Sequence, residues 1–578
     1  MMRKKLLIAL VVAIVIGLSV EQMLRSKSPQ LKISETSVSK SDTTQDVAQL
    51  SAEGDAHASR FTGKINMKQW QYNESDKVYY QLGIPYCGNP KDADLAKMAI
   101  FVPEKFLNCT ANAAQKTYSC KPNNAALVNF FTIHTAPIVL PIETVDYQKI
   151  PALTKYQNVS DYTNAGAVYV HIGSRGIEAP APAMVADYKA AIRFLRYNKA
   201  NIPANTDLIF TFGVGAGGTI SSILGASGDS PLYLQYLENI GAIMSVGDSV
   251  RGVMTWYPTV DFASENAAYE WGIGFARKGI SRAEHQLSVA LARDYVNYIN
   301  NAGMLNKRRQ PMFLQYSEKG TYLAGPYYDF VQSTIEDALT VFLRKTPFPY
   351  TPPRRKYVFG KGYVDSVAEL NLQGTFLTVR QYVKALNEKR PWVKYDYNER
   401  FATIRSVEDF VFSFKPVTQN IAFFDNPERN TIANKLFQTE EHLGLHFDEM
   451  LAKAMQNTPT AKNYAQDLIT QDALGVVLRN RRDMYSALYY LMPSSKGYGT
   501  SKVAPYWRIR GGFLQSENSM TDEINLYLLL IGRQGVRYVD FEMFWAQEQT
   551  DLNTDNTVSP KTVIQMLQKT LQSERGVL

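Results

Sequence analysis

The stretch DLIFTFGVGAGGTISSILGAS, residues 207–227, constrains the fold of this chain more than any other. A short apolar run (Leu208, Ile209, Phe210, Phe212) enters Gly213-Val214-Gly215-Ala216-Gly217-Gly218, and a helix-compatible segment leaves it. Glycines so close together permit backbone conformations and close approaches that side chains forbid. The reading is strand, tight turn, helix. That is the setting of the GxSxG elbow, in which a strained turn lifts a serine above a sheet. Here the middle position is Gly215. The stretch is not a phosphate loop, because GVGAGGT lacks the lysine of a P-loop and no acidic partner stands at dinucleotide-fingerprint spacing.

The surrounding sequence alternates in the same sense. Apolar runs recur as MAIFVP (98–103), APIVLPI (136–142) and AVYVHIG (167–173), with a helix over Met184–Lys199 before the elbow strand. Met184, Tyr188, Ile192 and Leu195 share one face of that helix, with Lys189, Arg193 and Lys199 mostly elsewhere, the period of a helix packed on a sheet. Such alternation predicts an α/β sheet with crossovers. After Trp256-Tyr257-Pro258 the pattern turns mainly helical, as in residues 285–303 and 328–345, and reads as an insertion. Strand-like runs return at 506–513 and 536–545 around TDEINLYLLLIGRQ, and KTVIQMLQKTLQS closes the chain as a helix.

The N-terminus has its own logic. Arg3, Lys4 and Lys5 precede an apolar run from Leu6 to Val20, the pattern of a signal peptide or a short anchor. The run is brief for a spanning helix, and Gly17 and Ser19 suit a cleavage site, which favours export. The polar segment SKSPQLKISETSVSKSDTTQDVAQLSAEGD that follows cannot bury enough surface to order itself and reads as a linker. The division is therefore 1–20 signal peptide or anchor, 21–59 disordered linker, 60–275 first part of the core, 276–500 mainly helical lid, and 501–578 the core's C-terminal part. With 45% hydrophobic and 20% charged residues the remainder is a folded globular chain.

Three cysteines are too few for a disulfide scaffold. In an oxidising compartment Cys109 and Cys120 would close a small loop and leave Cys87 free. No Cys/His spacing suits zinc. His442 and His446 would share one helical face, but HxxxH without HExxH does not make a metal site, and no metal or cofactor is expected. The net charge of +8 is modest for 578 residues, and the densest basic run, Pro352-Pro353-Arg354-Arg355-Lys356, reads as a solvated proline-rich loop. With no basic face or recognised module, nucleic acid is excluded as a partner.

Taken together, TAPIVLPI, VYVHIGSRG, AAIRFLRYNK, the elbow followed by GASGDSPLYLQYL, YPTVDFASENAAYEW, and YWRIR followed by VDFEMFW resemble the bacterial tannase and feruloyl-esterase type of α/β-hydrolase. The likeness implies a mostly parallel central sheet flanked by helices, with a large helical lid. In that family the elbow reads GTSAGG, the triad aspartate follows the WRIR strand, and the histidine follows a later Trp. Carried over by position, Gly215 stands at the nucleophile, Glu517 at the acid and Gln549 at the base. The loop through Gly173 and Ser174, with Ala216 after the elbow, corresponds to the oxyanion and ligand-binding segment. His171 lies in the same block, where a hydrogen-bonded histidine at a strand end is the plainer reading. Gly215 has no hydroxyl and Gln549 no basic nitrogen, so acyl transfer by a triad cannot run. The expectation is an exported, periplasmic or secreted protein, or one held to a membrane by its N-terminus. It is catalytically degenerate and binds a small phenolic ester, a polymer or a protein partner in the former ester cleft. The alternative is a working carboxylic-ester hydrolase with a displaced nucleophile such as Ser174.

Overall fold

The computed structural model describes residues 63–317, 322–352, 355–358, 362–365, 372, 374–415, 417–456, 458–515, 518–546 and 559–574. The expected leader and linker, together with Glu517 and Gln549, lie outside these residues. Among the described residues no helix is long and apolar enough to cross a membrane.

A nine-stranded sheet organises the chain. Its strands are β1 (Gln71–Asn73), β2 (Val78–Pro85), β3 (Lys97–Pro103), β6 (Ile138–Ile142), β7 (Val168–Ile172), β8 (Ile209–Val214), β9 (Gly252–Trp256), β14 (Tyr506–Gly512) and β15 (Tyr538–Phe544). Their spatial order is β1-β2-β3-β7-β6-β8-β9-β14-β15. The first three strands and the β3–β7 junction pair antiparallel, and the run from β7 to β15 is parallel. Strands buried on both faces must be continuously apolar, and IVLPI, VYVHI and GVMTW have every residue buried. Crossovers include α1 (Ala183–Tyr197) and α2 (Ala216–Ala226). A hairpin of β4 (Leu107–Asn112) and β5 (Thr117–Pro122) places Cys109 opposite Cys120, and the two are disulfide-bonded. Cys87 is a buried free thiol, pushed up to about 12 by burial.

Between β9 and β14 lie α3 (Glu265–Ile273), the long helices α4 (Arg282–Asn301) and α5 (Pro326–Lys345), and a series of short helices. Two hairpins interrupt them: β10 (Arg355–Val358) with β11 (Gly362–Asp365), and β12 (Val393–Asp396) with β13 (Phe401–Ile404). Arg355 and Lys356 thus belong to a paired strand rather than to a loop. The chain ends with α6 (Asp522–Gly532), β15 and α7 (Pro560–Glu574).

The charged stripe of α1 goes beyond the sequence reading. Lys189 and Arg193 do not face solvent: both are buried, and both reach Asp248, at 2.7 Å from Lys189 Nζ and 2.8 Å from Arg193 Nε. Loops close over the second face of α1, so its charged stripe needed an internal partner. Ser221 and Ser222 face packing, with Ser221 Oγ 2.8 Å from Thr211 Oγ1 and Ser222 Oγ 2.9 Å from the Gly218 carbonyl.

Candidate active-site elbow

β8 delivers the chain into the elbow at the C-terminal edge of the parallel strands, and Gly215 takes φ 55° and ψ −119° before α2 begins. A side chain adopts that combination only under strain, whereas glycine does so freely. The turn is fixed from both sides. The Gly215 amide donates to the Trp256 carbonyl at 2.8 Å, which ties it to the end of β9. On the other side a Cβ at Gly217 would stand 2.0 Å from the Ile142 carbonyl oxygen, so only glycine lets α2 start against β6. The carbonyl of Gly215 accepts from the Thr219 amide at 2.8 Å, and Thr219 Oγ1 accepts from the Thr259 amide at 2.9 Å.

The segments that lead to the other two expected positions arrive at this same edge. After β14, Phe513 and Gln515 present their carbonyls to buried Lys415 at 3.0 and 2.7 Å. Asn518 Nδ2 donates to the Tyr257 carbonyl at 3.3 Å, and the Ser519 amide to Glu265 Oε2 at 3.3 Å. Residues 513, 515, 518 and 519 are therefore tied to the end of β9, to Lys415 and to α3. After β15, Trp545 stacks on Phe414 with centroids 4.3 Å apart and donates from Nε1 to the Tyr382 hydroxyl at 3.0 Å. Ala546, the next residue, takes φ 53°.

The expected oxyanion donors divide. The Gly173 amide donates to the Lys97 carbonyl at 2.9 Å and the Ser174 amide to the Ile150 carbonyl at 2.9 Å, so strand-like pairing uses both and leaves neither for a ligand oxygen. Ala216, first residue of α2, is half-buried, and its amide has no intrahelical acceptor. Ser174 Oγ is fully buried without a hydrogen-bond partner among the described residues, so no base is in place to activate it. His171 Nε2 lies 2.8 Å from the Pro151 carbonyl, and burial lowers its pKa.

No other described histidine supplies a base here. The segment holding His442 and His446 is not helical. His446 is buried, with Nδ1 2.7 Å from Asp425 and its ring stacked on Tyr464 at 3.6 Å. It is a structural part of the mainly helical insertion between β9 and β14. Among the described residues no group of three or more His, Cys, Asp or Glu side chains is arranged to hold a metal ion.

Sequence reasoning missed a set of buried acids behind the site. Glu265 begins α3, and Asp522 and Glu523 begin α6; all three are buried. Burial pushes Glu265 up to about 7 and Glu523 up to about 8. Asp522 is raised well above the carboxylate range, by burial and then by Glu265. Among the described residues Glu265 Oε1 and Asp522 Oδ2 have no conventional partner, and the two carboxyls act on each other, the arrangement in which two acids share a proton.

Residues 148–323 match the family model described as BD-FAE. Among solved structures, a tannase from Fusobacterium nucleatum is similar with a TM-score of 0.65 and 19% identity, covering 88% of this chain and 100% of that one. Tannin acyl hydrolase from Lactobacillus plantarum is similar with a TM-score of 0.59 and 20% identity, covering 85% and 94%; its complex with ethyl gallate gives the same values. No curated protein matches the sequence. Sheet order, elbow and these likenesses together show that the chain has an α/β-hydrolase fold, with a segment over residues 148–323 that matches the BD-FAE family model and spans the elbow.

Proposed function

We propose that this protein is a catalytically silent member of the tannase-like hydrolases, and that it binds an ester-like or phenolic ligand in the cleft above the elbow. One observation carries the reading: the residue at the strained turn, where a serine would attack, is Gly215 with φ 55° and ψ −119°. Loss of the nucleophile alone removes roughly a millionfold in turnover. The sequence places Glu517 and Gln549 where the acid and the base would stand, and its last histidine, His446, is locked inside the lid. The Ala216 amide at the head of α2 still offers a donor to a carbonyl or carboxylate oxygen. The leader-like N-terminus supports export.

The test is restoration. Gly215→Ser, Glu517→Asp and Gln549→His, introduced together, are expected to create hydrolysis of gallate and aryl esters where the parent protein has none. A folded triple variant that binds such esters without cleaving them would refute the site assignment. Turnover by the parent protein, abolished by Ser174→Ala, would overturn the silent reading in favour of a displaced nucleophile.

A further inference from the structure

β15 is the last strand of the sheet, and its outer edge borders a cavity. The Tyr538 amide donates to the Pro505 carbonyl and the Phe513 amide to the Phe544 carbonyl. With the parallel register, Tyr538, Asp540, Glu542 and Phe544 direct their backbone groups to β14, and Val539, Phe541 and Met543 turn theirs outward. Alongside Phe541–Met543, between α5, α6 and residues 306–310, lies a cavity of about 590 Å³, a volume that suits a small organic ligand. It is remote from the elbow. Three strand spacings of about 4.8 Å separate β15 from β8, and the α6 residues lining the cavity, Tyr527 and Ile531, lie beyond the helix start that faces the candidate site.

Its chemistry is specific. Phe330 stacks on Tyr527 with centroids 5.9 Å apart at 10°, and Tyr527 on Phe541 at 4.5 Å and 17°. Half-buried Phe330 and Phe541 end this column where it lines the cavity. Lys307, Arg308 and Arg344 stand around it against Asp337 and Glu542. Glu542 is 3.9 Å from Arg510 Nε, and among the described residues no ion pair joins Asp337 to a basic side chain; burial and then Glu336 raise the Asp337 pKa, with Lys307 acting the other way. The Arg344 guanidinium donates to the carbonyls of Arg400 and Glu399. Among the described residues Arg308 and Arg344 have no carboxylate partner, and three basic side chains stand against two carboxylates, so the rim carries a net positive charge beside a face of stacked rings.

We propose that this cavity at the edge of β15 binds a planar aromatic anion, its ring on the Phe330–Tyr527–Phe541 column and its charged group at Arg308 and Lys307. Stacking and cation attraction act together in such a site.

Calorimetric titration of the whole protein with 2-naphthalenesulfonate, and with 2-naphthylmethylammonium as its charge-reversed twin, tests this. The sulfonate is expected to bind one per chain and the ammonium not to bind. Lys307→Glu with Arg308→Glu, both on exposed side chains that leave the core intact, is expected to weaken the sulfonate at least roughly tenfold, with a similar loss in high salt. Equal binding of the two probes, sulfonate binding unchanged in the double variant, or no binding at millimolar probe would each overturn the proposal.

Discussion

Replacing Glu265 by glutamine isolates the buried acids behind the elbow. The Glu265 side chain meets Asp522 and the Ser519 amide, with Asp261 raising its pKa further, and Glu523 and Lys415 belong to the same cluster. Its pKa rises from an ordinary 4.5 to about 7, chiefly through burial. At about 1.4 kcal/mol per unit, ionising it in the folded state costs about 3 kcal/mol. The sign follows from proton binding: between pH 4.5 and 7 the folded chain holds this proton more tightly than the unfolded one, so stability falls as pH rises. The contribution is complete below pH 4.5 and lost above pH 7. A neutral amide cannot ionise, and it also removes the negative neighbour that helps raise Asp522. Urea unfolding followed by tryptophan fluorescence at pH 4.5, 6, 7 and 8 should show Glu265→Gln gaining about 3 kcal/mol on the parent protein across that range. Every other carboxylate is common to both proteins, so the difference reports the cluster. Parallel pH curves for the two would refute the shared-proton assignment.

Two further outcomes test the scaffold. Gly215→Ser alone should fold but lose about 1–3 kcal/mol, because serine must take up the positive φ that glycine holds freely; a thermal melt unchanged or raised would contradict the strained turn. Asp248→Asn leaves Lys189 and Arg193 buried without their carboxylate and should cost about 3–5 kcal/mol in urea unfolding, and a loss below about 1 kcal/mol would mean that the ion triad is not desolvated.

The sequence made legible whatever is encoded locally. The runs at 98–103, 136–142 and 167–173 and the elbow strand are continuous apolar segments, because central strands are covered on both faces, whereas the two late strands carry Arg508, Arg510, Asp540 and Glu542 among their apolar residues. β9 stands in the sequence only as the boundary at Trp256-Tyr257-Pro258, although Gly247-Asp248-Ser249 mark a turn just ahead of its five residues. β1 and the β4–β5 hairpin escaped because edge strands stay half-exposed and polar, as QYN and LNCTAN show. Side chains and amides whose partners are distant in sequence could not be read at all. Lys189 meets Asp248 59 residues away, and His446 meets Asp425 across 21. The Gly173 and Ser174 amides look like free loop donors until Lys97 and Ile150 are placed beside them.

The elbow shows why fold and chemistry can separate in such a chain. The turn is set by close approaches at Gly213, Gly217 and Gly218, where a Cβ would meet the Gly217 carbonyl carbon at 2.4 Å, the Ile142 oxygen at 2.0 Å and the Trp256 oxygen at 2.7 Å. None of these contacts uses a side chain at 215. In an active enzyme the surrounding packing must over-determine a strained serine; with glycine the same packing holds a relaxed turn. Removing the nucleophile therefore leaves the start of α2, and the Ala216 amide with it, where packing already fixed them. On the proposed silent reading, what is lost is the ability to form and break a covalent bond, while the Ala216 amide at the start of α2 stays in place as an oxygen donor, which makes ligand binding the role chemically consistent with that reading.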